Sequence, residues 1–545
     1  MLVVWMCIGL VSCTDILDLK PLEAPEDKSF FSTREELTLA LNGAYRSLYW
    51  LSNDNVPYQL FVEGATDLVY IRGDFANMTT VQAGQATAST SVFQGVWETF
   101  YSNIARCNNL LANMVRAKEN VDETFYQQVE AQAKFLRAYN YFYLTSLYSD
   151  VPFVTEPLDW RNPNIPKTAR RDIVNQLYED LGFAKDHLPW QWQGAEYGHV
   201  TKGAALGLKA RIALINGDYE IARDAADSVI QSGEYAIYPS YEKLFRHSGS
   251  MASEIMLFMP FLAGIQTNQI PRYIGTRGAP GYSVIVPTQT LVDMYRCVDG
   301  KNIAESPLYD PTHPFENRDP RLDYSILRPG MWHGGYKFET HPDSIKTSAV
   351  VNGDTVRINN LEATNAYATF TGYIEKKYYD EADLPENVTR SELDFILMRY
   401  AEILLTYAEA KIELGELDAS VEKAMNEVRQ REDVDMPPVA LTDIETMRAL
   451  VRSERTIELA MEGLRLFDIR RWEIAEHVMP GYILGKRTKP AWYTPLVPSF
   501  TAYGKPVYPD EGLFQKLGYA TFNPDADYAW PIPQTEIDRN PLLKN

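Results

Sequence analysis

Cysteine is scarce in this chain: Cys7, Cys13, Cys107 and Cys297 are the only four among 545 residues. None are spaced as CxxC, so the sequence offers neither a zinc ribbon nor a disulfide-rich scaffold. Positive charge is also short, with 52 Lys and Arg against 73 Asp and Glu and a formal net charge of −21. So acidic a chain argues against nucleic acid as a partner, because phosphate binding needs a basic surface. It argues equally against charge-driven adhesion to anionic lipid. Beyond the first twelve residues no stretch reaches the ~18 uninterrupted apolar residues of a membrane span. Common enzyme signatures are missing too: no GxSxG elbow, no HExxH and no phosphate-cradling glycine loop. The seven His are scattered, and the nearest pair, His333 and His341, lacks metal-ligand spacing.

What is present begins at the N-terminus. Met1 to Ser12 is uncharged and mostly apolar or small. It is too short to cross a bilayer and suits the hydrophobic part of a secretory signal. It ends Leu10-Val11-Ser12-Cys13, which looks like a lipobox, where the cysteine is acylated and becomes the first residue of the mature chain. The basic region that opens a signal is absent, and the simplest account is a translation start upstream of Met1. This reading predicts a signal over 1–12, lipidation of Cys13 and an extended tether over 13–30. Only Cys107 and Cys297 then remain in the folded body, either paired or as two buried thiols.

Hydrophobic content of 45% and charged content of 23% are those of a globular protein, and apolar periodicity predicts mostly helix. Ser32 or Thr33 caps a first helix with Glu35 and Glu36 in its first turn and Leu37, Leu41, Ala44 and Leu48 on one face. Long helices run from about 93 to 148 and carry the core stripe Phe135, Tyr139, Phe142 and Tyr143, with Trp97 also on a core face. Two later segments share a shape. Ala205, Leu208, Ile212 and Ile215 precede the turn Gly217-Asp218-Tyr219 and a second helix; Ile403, Tyr407, Ala410 and Leu414 precede Gly415-Glu416-Leu417 and another. Helix, Gly-acid-apolar turn, helix resembles the tetratricopeptide (TPR) unit, here as a scaffold of helix pairs rather than a regular solenoid. Between 251 and 390 Pro, Gly and aromatics are dense, which predicts long functional loops with short strands such as 355–358. Helical periodicity resumes near Phe395. A last helix is expected from the capping box Thr442-Asp443-Ile444-Glu445 to about Glu476, with an irregular tail from Pro480. The resulting division is a helical part over 31–250, an irregular region over 251–390, and helices plus tail over 391–545.

Aromatic residues make up 12% of the chain, with 34 Tyr and 10 Trp. Such amphipathic rings suit sugar or peptide recognition, although most must be core. Trp332 and Tyr336 lie four apart in Gly-rich sequence with little periodicity to bury them, and read as stacking platforms; the alternative is that they pin the loop to the body. Asp67, Tyr70, Arg72, Asp74 and Phe75 form a second loop, whose carboxylates either hydrogen-bond ligand hydroxyls or serve as turn and cap residues. Tyr282 is a weaker candidate. Glu454, Glu458 and Glu462 share a helix face and would repel; Arg455 to Glu458 and Glu462 to Arg465 are the expected neutralising pairs. An ionic network that fixes packing is a simpler reading of this cluster than a catalytic carboxylate pair.

Several separated stretches resemble the SusD/RagB outer-membrane lipoproteins of Bacteroidetes. They are Cys13-Thr14-Asp15-Ile16-Leu17-Asp18 leading to Leu41-Asn42-Gly43-Ala44-Tyr45; Ala133-Lys134-Phe135-Leu136-Arg137-Ala138-Tyr139 running on to Asp150-Val151-Pro152; Asn317-Arg318-Asp319-Pro320-Arg321; Arg399-Tyr400-Ala401-Glu402-Ile403-Leu404-Leu405; and Glu454-Arg455 through Glu462-Gly463-Leu464-Arg465-Leu466-Phe467-Asp468-Ile469-Arg470-Arg471-Trp472. The ending Trp530-Pro531-Ile532-Pro533 with Glu536-Ile537-Asp538-Arg539-Asn540-Pro541 fits as well. The resemblance implies a mainly α, SusD-like fold: TPR-like helix pairs form a scaffold that carries an irregular, loop-rich ligand-binding region. It implies a lipid-anchored cell-surface protein on the outer membrane, acting as a lid over a SusC-like TonB-dependent transporter. The ligand would be an oligosaccharide or polysaccharide, or a peptide as in RagB-like members, bound without covalent chemistry. Asp15 and Asp18 look partly like the family's surface-export signal. No cofactor is implied, and whether a calcium ion orders a loop stays open. The family's ligand loops are its variable part, so the site candidates Trp332, Tyr336, Tyr282, Asp67, Tyr70, Arg72 and Asp74 rest on composition.

Overall fold

The Thr33 hydroxyl accepts the Glu36 N–H at 3.2 Å, while the Glu36 carboxylate accepts the N–H groups of Ser32 and Thr33 at 2.7 and 3.1 Å. That reciprocal capping box starts helix α1 (Arg34–Tyr45), which buries Leu37, Leu41 and Ala44 as its spacing requires. The protein, a computed structural model, is described over residues 30–159, 161 and 163–544; the signal, the Cys13 lipidation site and the tether up to residue 29 lie outside the described residues.

Nine further helices build the scaffold: α2 (Ser91–Asn113), α3 (Glu123–Tyr148), α4 (Arg170–His187), α5 (Lys202–Ile215), α6 (Tyr219–Ser232), α7 (Tyr400–Glu413), α8 (Ala419–Arg429), α9 (Ile444–Glu458) and α10 (Arg465–Arg471). From α2 to α8 each packs on the next, and α9 also lies against α7. The α6–α7 contact closes across the whole irregular region. Buried Arg211 of α5 grips Glu402 of α7 through two hydrogen bonds of 2.7 and 2.6 Å. The two TPR-like turns use glycine for one reason. Gly217 and Gly415 sit at φ 74° and 75°, the left-handed region where a side chain is strained. Phe135, Tyr139, Phe142, Tyr143 and Trp97 are buried in a core that runs from Phe31 to Leu543. Cys107 and Cys297 are buried free thiols.

Between α6 and α7 the chain makes only short pieces. Strand β1 (Val69–Ile71) reaches across from the N-terminal part to pair with β3 (Ile285–Pro287), and β2 (Ile255–Met259) pairs with β8 (Phe395–Arg399). A four-stranded antiparallel sheet is formed by β4 (Trp332–His333), β5 (Tyr336–Lys337), β6 (Lys346–Val351) and β7 (Asp354–Asn359). Residues 395–399 are therefore strand, and helix resumes only at Tyr400; a fully buried apolar run cannot be assigned by periodicity alone. The tail from Pro480 is not wholly irregular, because β9 (Gly481–Arg487) pairs with β10 (Phe514–Ala520).

The expected single C-terminal helix is broken into α9, α10 and a short helical turn at Ala475–Val478. Asp443, rather than Thr442, caps α9 by accepting the Thr446 N–H at 3.0 Å. The helix stops after Glu458 because Met461 and Gly463 turn left-handed, at φ 62° and 81°. The expected pairs Arg455–Glu458 and Glu462–Arg465 do not form. Arg455 faces Asp468 and Glu409, and Arg465 faces Asp67. The glutamates are neutralised from elsewhere in the chain. Arg321 reaches Glu454 at 2.6 Å and Glu458 at 2.9 Å. Arg399 reaches Glu254, Glu458 and Glu462 at 2.7–2.8 Å. Arg431 joins Glu254 to Glu458, Arg429 holds Glu454, and Lys377 holds Glu462. Burial alone would raise the Glu458 carboxyl, but Arg431, Arg399 and Arg321 outweigh it and hold it far below the usual range.

Removing one member strands a buried charge. Arg399→Met is expected to cost about 3–5 kcal/mol, read as a fall in the urea midpoint. Glu454, Glu458 and Glu462 all have depressed folded-state pKa values, so their contribution is full above the unfolded value of about 4.3 and lost as pH falls below it. The urea midpoint should therefore drop steeply under about pH 4, and less steeply in Glu458→Gln.

Candidate functional site

The β1–β3 ladder carries Arg72 to the segment 282–284. The Arg72 N–H donates to the Val284 carbonyl at 2.8 Å, and its guanidinium donates to the Tyr282 carbonyl at 2.8 Å. Around this junction rings and guanidinium groups alternate. Arg272 lies 4.3 Å from the Tyr282 ring centre and hydrogen-bonds the Tyr282 hydroxyl. Arg277 lies 5.4 Å from the same ring and 5.7 Å from Tyr367. Arg72 lies 5.3 Å from Tyr367 and 5.8 Å from Phe370. Burial and the neighbouring Arg277 push the Arg72 guanidinium pKa down. Beside this group Phe75 packs edge-on against Tyr273 at 5.8 Å, and the Tyr273 hydroxyl bonds Asp54. Tyr367 is 59% exposed and Phe75 39%. The result is a ledge of amphipathic rings interleaved with donors, a surface that can stack on one face of a flat ligand and hydrogen-bond its edge.

The ledge is held from beneath. The N–H groups of Arg277 and Gly278 both donate to buried Glu362, at 2.6 and 3.0 Å. The Tyr336 hydroxyl bonds Thr276, and its ring lies so close under Gly278 that a Cβ there would overlap it.

The sequence candidates fare differently. Arg72 and Tyr282 are brought together at the ledge. Trp332, 48% exposed on β4, is available to a ligand on a separate hairpin. Tyr336 is only 5% exposed and takes the alternative role of pinning the loop. Asp67 is 4% exposed and its carboxylate is gripped by Arg465 at 3.0 and 2.8 Å, so it faces the scaffold. Tyr70 is buried in β1. Asp74 falls in the 3-10 turn Arg72–Asn77, and its side chain is outside what is described. His333 is buried, with a pKa pushed down to about 3 by burial and by Arg246 and Lys376. Among the described residues no group of three His, Cys, Asp or Glu could hold a metal.

Residues 272, 277, 367 and 370 of the ledge were missed. Their signal was the alternation of Arg with Tyr in the 270–282 loop and the pair of rings Tyr367 and Phe370 in the 367–370 loop, which only the fold brings together. A second aromatic hollow, about 310 Å³, was missed as well; Tyr309, Phe315, Tyr373, Trp492 and the very exposed Tyr493 line it.

Comparison with known proteins fits this architecture. The model of the family described as SusD family matches residues 253–545, more than half the chain. The protein belongs to the SusD family. A second model, described as starch-binding associating with outer membrane, matches residues 15–214. The chain is 25% identical over 561 aligned residues to SusD-like protein P2 of Formosa agariphila, covering 99% of this chain and 97% of that one. It is 24% identical over 385 residues to the starch-binding protein SusD of Bacteroides thetaiotaomicron, 64% of this chain and 65% of that one. Among solved structures, a SusD-like carbohydrate binding protein of Bacteroides fragilis superposes with a TM-score of 0.82 at 28% identity, covering 94% of this chain and all of that one. A laminarin binding SusD-like protein shares the fold at 21% identity and a TM-score of 0.68.

Because the Tyr336 ring fills the space below Gly278, Gly278→Ala should lift the ledge loop and lower stability by about 1–3 kcal/mol. Thermal unfolding measures it; Gly43→Ala, at an exposed glycine with open space around it and no positive φ, is the control.

Proposed function

We propose that this SusD-family protein is a cell-surface glycan-binding lipoprotein, anchored to the outer membrane through lipid on Cys13. It captures oligosaccharides without covalent chemistry and passes them to a SusC-like TonB-dependent transporter. The observation that carries the binding role is the ledge itself, where the exposed Tyr367 ring and the Tyr282 ring stand between Arg72, Arg272 and Arg277. Sugar rings present an apolar face rimmed by hydroxyls, and stacked rings with lateral N–H donors answer both. Trp332 offers a further platform. Two matched relatives, named for starch binding and carbohydrate binding, support the same ligand class.

Binding of the purified protein to an oligosaccharide identified on a mixed glycan and peptide array tests the role. Tyr367→Ala should weaken it by about 1–3 kcal/mol, roughly 5- to 150-fold, and Trp332→Ala by a similar amount if the ligand extends to the hairpin. Peptide binding with no glycan binding would replace the oligosaccharide by a peptide in the same lid role. Export is tested by Cys13→Ala, which should abolish lipid labelling and release the protein from the membrane fraction.

A further inference from the structure

A cavity of about 460 Å³ opens between α9, the segment 294–302 and the hairpin of Ser499–Phe500 with Pro506–Val507. None of its lining residues belongs to the ledge. Four guanidinium groups line it, from Arg296, Arg448, Arg452 and Arg465, against the single carboxylate of Glu445, which is exposed at its rim. Two of the four are spoken for: Arg448 is clamped by Glu413 at 2.7 and 2.8 Å, and Arg465 by Asp67. The other two are not.

Arg296 donates to the Ser453 hydroxyl at 3.2 Å and the Gly300 carbonyl at 3.0 Å, both neutral. Among the described residues no carboxylate forms an ion pair with it. Arg452 meets Glu413 at 3.5 Å, an oxygen already bound by Arg448. Its Nε is buried with no hydrogen-bond partner, and its guanidinium lies 5.2 Å from the Trp472 ring. Burial pushes the pKa of both groups down, the sign of cations held without full compensation. The lining thus carries a local excess of cations in a chain of net charge −21. Phe500 and Tyr503 complete the wall; Tyr503 stacks on His477 with ring centres 4.4 Å apart and remains 43% exposed.

Guanidinium groups pair with planar or tetrahedral oxyanions through charge-assisted hydrogen bonds, and the volume falls within the range of small-ligand sites. Resting on the saccharide-binding reading above, we propose that this cavity binds the oxyanion of an acidic saccharide, a uronate carboxylate or a sulfate ester, between Arg296 and Arg452, with Tyr503 against the sugar ring.

The test is calorimetric titration of the full chain at low salt with an oligogalacturonate, a sulfated oligosaccharide, an uncharged oligosaccharide and sulfate ion alone. The proposal expects one acidic probe to bind, more weakly as salt rises. Its affinity should fall about tenfold or more in Arg452→Gln and also in Tyr503→Ala, whose exposed side chain leaves the fold intact. It should be unchanged in Val115→Ala, an exposed position that belongs to neither site. The identity of the bound probe then separates uronate from sulfate ester. Acidic-probe binding unaffected by both cavity variants but lost in Tyr367→Ala overturns the proposal and leaves the ledge reading standing. Binding of the uncharged probe alone does the same. Equal affinity for sulfate ion and oligosaccharide overturns the saccharide assignment, and no binding to any saccharide overturns both readings.

Discussion

The fold depends on a buried ionic knot at the end of α9. Glu454 and Glu458 stand one turn apart on a buried helix face, with Glu462 just beyond, and uncompensated they would drive the helix into water. The cations that permit their burial come from four distant places: Arg321 before the four-stranded sheet, Lys377 after it, Arg399 at the end of β8, and Arg429 with Arg431 at the end of α8. Each pair fixes one segment of the chain relative to another. A hydrophobic core of the same volume would be at least as stable. It would lack the directional contacts that set where the irregular region docks, and we read that positional role as the knot's contribution here.

The ledge inherits its position from this docking. Arg321 and Lys377 tie down the segments before and after the sheet that carries Trp332 and Tyr336. Tyr336 and Glu362 then hold the 276–283 loop from below, and β1–β3 pairing brings Arg72 to its edge. The Tyr367 and Tyr282 rings of the ledge are each flanked by guanidinium groups, and contacts of that kind are worth about 0.5–1 kcal/mol at a surface. Small as they are, they keep the rings oriented before a ligand arrives, which lowers the entropic cost of binding.

Helices were legible because their causes are local. The Thr33–Glu36 capping box, the Phe135–Tyr143 stripe and the Gly217 and Gly415 turns are each written within a few residues. What escaped was non-local. Asp67 looked like a polar loop residue because its partner, Arg465, lies 398 positions away. Glu454, Glu458 and Glu462 were rightly read as a packing network, but with helix neighbours as partners, since nothing local marks Arg321 or Arg399. Tyr336 looked exposed in Gly-rich sequence; a glycine far from it in the chain, Gly278, is what lets a loop close over its ring. The ledge escaped in part for the same reason, since Arg72, Tyr282 and Tyr367 meet only once three loops are in place.

The central claim is that saccharide stacks on the ledge, and a crystal structure of the protein with an array-selected oligosaccharide tests it most directly. The account predicts a sugar ring lying face-on to Tyr367 or Tyr282, with hydroxyls within hydrogen-bond distance of Arg72 or Arg277. An oligosaccharide bound elsewhere, with those rings still facing solvent, would contradict it.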